Sequence, residues 1–387
     1  MTWEIHSTNL GTGLPLEGVR VLDLSRVLAA PLCAMVAGDL GADVVKVEGP
    51  GGDPVRSLAP PRFGDDATYY LAVNRHRRNV VADLRDARDF ARVAALVVRA
   101  DAVIENFLPA QARELGIDRL RALNPECVWV SVAPASGGGP LSSQPSFDLL
   151  AQARSGLMDL SGEPDGPPTK VGAPVADVIA GLYAVVGLLC GLVAVARDRP
   201  GRHYEVPLLE STMTALVNQA QGYLSTGVNP GRLGNEHPSI APYGPVECAD
   251  GLILLAVGTD AQFASLVALL GDEDLRGRRE FATNAERVRE RASLRLELDR
   301  VFRARSVPEW LATLSDSNIP HAPILNVAQA FAQPQIRDGD FVATMTAPAG
   351  ETRVMASPLR IDGRRPAVRR GPRLYAQDND EVFGDVE

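Results

Sequence analysis

Val19-Arg20-Val21-Leu22-Asp23-Leu24, a helical stretch from Pro31 to Leu40, and then Ala42-Asp43-Val44-Val45-Lys46-Val47-Glu48 read as strand, helix, strand. The alternation continues downstream. Val80-Val81-Ala82-Asp83-Leu84 reads as a strand before a helix near Asp86–Arg99, and Ala102-Val103-Ile104-Glu105 as the next strand. A helix over Ala110–Leu123 leads into Cys127-Val128-Trp129-Val130-Ser131-Val132. Short apolar runs alternating with helices at this spacing imply an α/β fold, a parallel sheet with helices on both faces.

Around Gln219 the texture changes. Residues 229–245 are rich in Gly, Pro, Asn and His, the composition of a domain boundary or an active-site loop. Leu252-Ile253-Leu254-Leu255-Ala256-Val257 reads as another strand, charged helices lie between Asp260 and Ser315, and Pro320-His321-Ala322-Pro323-Ile324 begins a return. The expected division is therefore 1–220 as the first part of a large domain, 221–328 as a smaller α+β domain, and 329–387 as a return to the first. The Arg/Pro-dense tail from Arg364 to Arg373 suits an extended wrap better than a core element.

The chain has 387 residues, of which 45% are hydrophobic and 22% charged, the balance of a globular protein with room for two domains. Its formal net charge of −9 argues against sequence-independent nucleic-acid binding. Cys33, Cys127, Cys190 and Cys248 form no Cys-x-x-Cys pair and do not cluster with the five histidines, so no metal site is expected. Free thiols, and no apolar signal segment within Met1–Gly13, point to the cytoplasm. The uncharged run from Val178 to Ala196 could span a membrane by length alone. Ala180, Ala184, Gly187, Gly191 and Ala194 line one helical face of it, however, and with no second such run a buried core helix is the expectation.

Several motifs carry chemistry, each beside a plainer meaning. Gly11-Thr12-Gly13 lies before the first strand rather than after it, so it lacks the context of a dinucleotide fingerprint. Gly137-Gly138-Gly139-Pro140 follows a strand but misses that spacing; its amides could hold an anion or simply connect. Asn74-Arg75-His76-Arg77-Arg78 is either a solvated turn or a phosphate-binding cluster, since arginine forks match phosphate oxygens. Glu105-Asn106-Phe107 ends a strand, where open α/β sheets take ligands, or it is merely a strand-terminating turn. Gly234-Asn235-Glu236-His237-Pro238 with Ala241-Pro242-Tyr243 is a polar loop, and no Gly-x-Ser-x-Gly elbow accompanies its histidine. Asp177 sits between the Gly/Pro-rich segment 162–172 and the apolar run. It is a helix N-cap, a carboxylate nucleophile, or both.

The order of the pieces settles more than any one of them. Leu16-Glu17-Gly18-Val19-Arg20-Val21-Leu22-Asp23-Leu24, Leu40-Gly41-Ala42-Asp43-Val44-Val45-Lys46-Val47-Glu48, Asn74 to Arg78, Glu105-Asn106-Phe107, Leu123-Asn124-Pro125, Gly166-Pro167-Pro168, Asp177, Leu208-Leu209-Glu210-Ser211 and Pro334-Gln335-Ile336-Arg337 occur in succession. In this the chain resembles the class III CoA-transferases, the family of formyl-CoA transferase, carnitine CoA-transferase and α-methylacyl-CoA racemase. The resemblance implies an interlocked homodimer, with a Rossmann-like large domain built from both chain ends and a small domain from the later middle segment.

It further implies that Asp177 attacks an acyl-CoA thioester, forming first a mixed anhydride and then an aspartyl-CoA thioester. A small carboxylic acid would be the acceptor and succinyl-CoA a common donor. CoA would be substrate and carrier, with no tightly bound cofactor and no metal. Arg26, Arg85, Asn106 and Phe107 match the family's CoA shell, and Arg113 lies one residue before its basic position, which is Glu114 here. Leu28, Gly49 and Ala133 replace the glutamine, arginine and lysine of formyl-CoA transferase, which argues against oxalate as substrate. Racemases of the family begin a His-Asp-Ile/Leu motif where this chain has Phe147-Asp148-Leu149. Losing that imidazole favours transfer over racemisation. The alternatives are a racemase or epimerase, and a CoA-binding protein without turnover whose Asp177 only caps its helix.

Overall fold

The computed structural model describes residues 13–384, and Gly11 and Thr12 of the first glycine motif lie outside them. The described residues divide into two compact units, one made of the chain up to 157, 171–224 and 334 onward, the other of 158–170 and 225–333. The 158–170 loop, expected in the large domain, thus groups with the second unit. Its ties are local: Gly234 N donates to Gly162 O at 3.1 Å, and the Arg232 guanidinium bonds the Asp159 carboxylate at 3.0 Å.

The first unit holds a six-stranded sheet of β1 (Arg20–Asp23), β2 (Asp43–Glu48), β3 (Arg77–Val81), β4 (Ala102–Glu105), β5 (Val128–Ala133) and β6 (His203–Pro207). Their spatial order is β3-β2-β1-β4-β5-β6, and every pairing is parallel. The order reverses between β1 and β4, which opens a crevice beyond their carboxyl ends. Because side chains alternate along a strand, the sheet carries a core on each face. Val21, Val44, Ile104, Val128 and Val130 pack with α1 (Ala29–Asp39). Leu22, Val45, Val80, Val103 and Trp129 face the opposite side, which is covered by α3 (Ala87–Arg99) and α5 (Ile117–Ala122). The single helix expected over Ala110–Leu123 is two, α4 (Pro109–Glu114) and α5, because Gly116 turns left-handed at φ +69° between them.

The strand expected at Val80–Leu84 instead begins at Arg77, inside the basic cluster. That cluster is neither a solvated turn nor an open anion site: Asn74 through Asn79 are all buried. Arg75 grips Asp39 with two bonds of 2.7 and 2.6 Å, Arg77 pairs with Asp23 at 2.8 Å, and Arg78 with Asp43 at 2.6 Å. Arginine forks already bound to interior carboxylates are not offered to phosphate. Between Glu48 and β3, the short helix α2 (Thr68–Val73) adds Tyr69 and Val73 to a small cluster with Leu28 and Met35.

Two further helices, α6 (Asp148–Ser155) and α7 (Val175–Val195), follow β5, and α8 (Leu208–Met213) follows β6. The small-residue face of α7 lies against α1 and the sheet. A Cβ on Gly181 would stand 2.7 Å from the Ala29 carbonyl oxygen, and one on Gly191 would fall 2.3 Å from Val128. Only glycine permits that approach. Among the described residues α7 is the one helix long and apolar enough to cross a membrane, and its opposite side, with Leu182, Tyr183, Val186 and Val193, is exposed in the single chain.

The C-terminal segment returns to this unit. It forms an antiparallel hairpin, Val342–Ala347 with Gly350–Met355, and residues 365–374 then carry no helix or strand. Arg370 O accepts from His76 N at 3.0 Å, and Asp378 accepts from Asn79 N at 2.7 Å. Val382 and Phe383 finish in the second core. In the other unit, Tyr243–Glu247, Leu252–Ala256 and His321–Pro323 form an antiparallel sheet over a core that includes Phe281, Phe302 and Trp310. There His237 Nδ1 accepts from Ser239 N at 3.1 Å and its ring packs at a tilt of 53° to that of Tyr243, a loop-stabilising role.

Candidate active site

The crevice beyond β1, β4 and β5 is a cleft of about 260 Å³ whose wall is mostly apolar, with Leu28, Pro54, Val132, Pro145 and Phe147 among its lining. Asp177 opens into it. The residue stands in the first turn of α7 but does not cap it. Pro174 is the N-cap and supplies no side-chain bond. The missing cap comes from elsewhere: Asp148 of α6 accepts from Ala176 N at 2.9 Å. Asp177 is therefore available for chemistry, and its helix terminus is held by a neighbour.

Burial, and after it the charge of Asp148, push the Asp177 carboxyl from 3.8 up to about 7. No hydrogen-bond donor among the described residues offsets these two causes. A carboxylate near a helix N-terminus gains from the dipole, yet here exclusion from water and a like charge prevail. The result is a carboxyl more basic, hence more nucleophilic, than one in water.

Arg26 and Asn106 line the same cleft, and Phe107 packs beside Arg26. The Asn106 amide brackets the Arg26 peptide, accepting from its N–H at 2.9 Å and donating to its carbonyl at 2.8 Å. The Arg26 guanidinium lies over the Phe107 ring at 5.4 Å and reaches Gln111 at 3.5 Å. Phe107 is itself placed by Glu105, which accepts from its N–H at 2.7 Å, so the strand-end turn and the ligand wall are the same feature. Val27, next to Arg26, adopts φ +72°, a strained conformation for a β-branched residue. Asp53 accepts from its N–H at 3.2 Å and helps hold it there.

Arg26, Phe107 and Gln111 also line a second cavity of about 120 Å³ together with Gly49, Leu84 and Arg85. Arg85 is exposed and bonded to Glu114 at 2.7 Å. Arg113 is exposed on α4 and lines neither cavity, so it is not brought to the site. Glu114, at the family's basic position, instead serves as the partner of Arg85. Ala133 lines the main cleft and Gly49 the second; neither offers a charged side chain. Asp148 and Gln111 went unassigned in the sequence. The only cue to Asp148 was its place beside Phe147, and nothing marked Gln111. Among the described residues no group of His, Cys, Asp and Glu could hold a metal ion.

The crevice of this doubly covered parallel sheet thus holds a buried carboxylate with no hydrogen-bond donor among the described residues, in an apolar cleft where a ligand can enter. The model of CoA-transferase family III matches residues 16–379, and the chain belongs to that family. It is an enzyme that transfers CoA. It is 39% identical over 332 residues to the succinate–glutarate CoA-transferase of Agrobacterium fabrum, covering 84% of this chain and 83% of the relative. It is 33% identical over 376 residues to the human succinyl-CoA:glutarate CoA-transferase, covering 96% and 86%. A CaiB/BaiF family protein from Brucella suis superposes with a TM-score of 0.85 at 34% identity, over 96% of this chain and 99% of that one.

Proposed function

We propose that the chain moves CoA between carboxylic acids by way of covalent intermediates on Asp177, with succinyl-CoA as donor and a short dicarboxylate such as glutarate as acceptor. The observation that carries this reading is the buried Asp177 carboxyl, opening into an apolar cleft without a cationic partner and held near pH 7. An Asp177 oxygen attacks the thioester carbonyl, and the C–S bond breaks to release CoA thiolate and leave a mixed anhydride. The thiolate attacks the aspartyl carbonyl of that anhydride, expelling the donor acid and leaving an aspartyl-CoA thioester. The acceptor carboxylate attacks this thioester and frees the thiolate again. Attack of the thiolate on the acceptor carbonyl then gives the new acyl-CoA and restores Asp177.

The choice of acids rests on the names of the two glutarate-using relatives. CoA would run from the cleft to the second cavity, past Arg26 and Phe107 toward Arg85. Phe147 at the cleft wall offers no imidazole for α-proton transfer, which favours transfer over racemisation. Homodimerisation is supported by the exposed apolar side of α7, a surface that a second copy would cover. Four cysteines without disulfides support a reducing compartment such as the cytoplasm.

The test is to incubate the enzyme with succinyl-CoA, quench with hydroxylamine or borohydride, and map the modified peptide by mass spectrometry. A label on Asp177 is expected, together with transfer across a panel of CoA esters and dicarboxylates. A label elsewhere, or rapid α-deuterium exchange of a 2-methylacyl-CoA without acceptor, would overturn the reading.

A further inference from the structure

Asp148 is tied to the start of α7 from outside that helix. One of its oxygens accepts from Ala176 N at 2.9 Å, and the other accepts from Gln152 Nε2 at 2.8 Å. Gln152 is fully buried, and its own carbonyl oxygen accepts from Val171 N at 2.9 Å. Asp148 and Gln152 thus hold both the segment entering α7 and the peptide immediately before Asp177. A neutral asparagine or serine in the loop would have capped the helix without electrostatic consequence. A carboxylate at this place also sets a fixed negative charge beside Asp177.

We propose that Asp148 is the positioning residue of the nucleophile: it fixes the turn that carries Asp177, and its charge disfavours the free Asp177 carboxylate relative to the acylated side chain. The inference rests on Asp177 being the nucleophile. Acylation or thioester formation removes the negative charge from Asp177, and the repulsion from Asp148 disappears with it. The covalent states are stabilised relative to the free enzyme by that difference, and the free carboxylate is the stronger base and nucleophile.

The surroundings do not mask the pair. From α2, Tyr69 faces the same space; burial, followed by Asp177, Asp148 and Asp53, pushes its hydroxyl up to about 12, so it stays neutral. Arg26 also lines the cleft and is not among the causes of the Asp177 shift. On the elements packed against α7, Asp39 of α1 is held by Arg75, Glu205 of β6 accepts from Gly137 N, and Glu210 of α8 accepts from Ser136 N. None of these three enters the shift of Asp177.

The experiment compares wild type with Asp148→Asn, which keeps an acceptor for Ala176 N but removes the charge. Asp148→Asn/Gln152→Glu is run beside it, because it restores a donor–acceptor match between the two side chains if the single variant folds poorly. Two quantities are read: the acid limb of the kcat/KM pH profile, and the fraction of Asp177 trapped by hydroxylamine at a fixed succinyl-CoA concentration. In Asp148→Asn the acid limb should move down by about one pH unit, and the trapped fraction should fall several-fold. The double variant should lie between the two. A purely structural role would lower activity at every pH and leave the limb in place, and that result overturns the proposal. If wild-type enzyme traps no Asp177 adduct at all, the nucleophile reading fails and this one falls with it.

Discussion

Asp177→Asn should abolish transfer and stabilise the fold at once, and the stabilisation should depend on pH in a defined direction. In the folded chain Asp177 keeps its proton up to about pH 7; in the unfolded chain it loses it near 3.8. Between those values the folded state binds more protons than the unfolded one, so this residue makes stability fall as pH rises. Each pH unit across the window removes about 1.4 kcal/mol, and the whole interval from 3.8 to about 7 amounts to up to about 4 kcal/mol. Asparagine has nearly the shape of the protonated acid and never ionises. Its advantage over wild type should therefore be about 1.5 kcal/mol at pH 5 and about 4 kcal/mol at pH 8. Two units need not unfold in one step, so the comparison is best made on the denaturant transition of the unit that carries α7. The same ionisation governs activity with opposite sign: kcat/KM should rise with pH to about 7 and then level off, as the carboxylate form fills. A variant less stable than wild type at pH 8, or an advantage that does not change between pH 5 and pH 8, would refute the argument that burial and Asp148 hold this carboxyl up.

Other perturbations separate structural from binding arginines. Asp39→Ala strips a buried partner from Arg75 and His76 and should cost about 3–5 kcal/mol in denaturant unfolding, whereas KM for acyl-CoA in the folded fraction should stay put. Arg85→Ala should raise KM for acyl-CoA by no more than about five-fold, because the exposed side chain already shares its charge with Glu114; Arg113→Ala should leave KM unchanged in the same assay. Gly181→Ala forces α7 away from the Ala29 carbonyl and should cost about 1–3 kcal/mol, read as a lower unfolding temperature.

The alternation of the first two hundred residues made the parallel sheet legible, because apolar runs that face two cores leave few polar residues to blur them. The misreadings came where charge goes inward. Arg75, His76, Arg77 and Arg78 read as a solvated turn or a phosphate-binding cluster because their partners, Asp39, Asp23 and Asp43, lie on earlier elements and no local spacing links them. The strand start was displaced for the same reason: Arg77-Arg78-Asn79 does not look apolar, yet it is the buried beginning of β3. Arg26, Asn106 and Phe107 could be singled out from their order in the chain, and the structure places them side by side. That Asn106 grips the Arg26 peptide across two strand ends could not be read from that order, since the contact depends on the strand order reversing between β1 and β4. Arg113 shows the converse: its neighbourhood in sequence suggested a role, and the turn of α4 sends it to solvent.

Asp177 shows why one residue could carry two readings until its surroundings were known. An aspartate just before an apolar helix is read as a cap because the first amides of a helix need acceptors. Here α7 starts at Val175, so Asp177 falls inside the first turn and the need for an acceptor passes to Asp148. The exchange of roles has an energetic consequence. Had Asp177 capped its own helix, amide hydrogen bonds would have lowered its pKa and weakened it as a nucleophile. Because the cap is delivered by a second carboxylate, the same contact that secures the helix also raises the basicity of Asp177. Stability and basicity at this helix terminus are thereby coupled through Asp148, and a change of that side chain moves both.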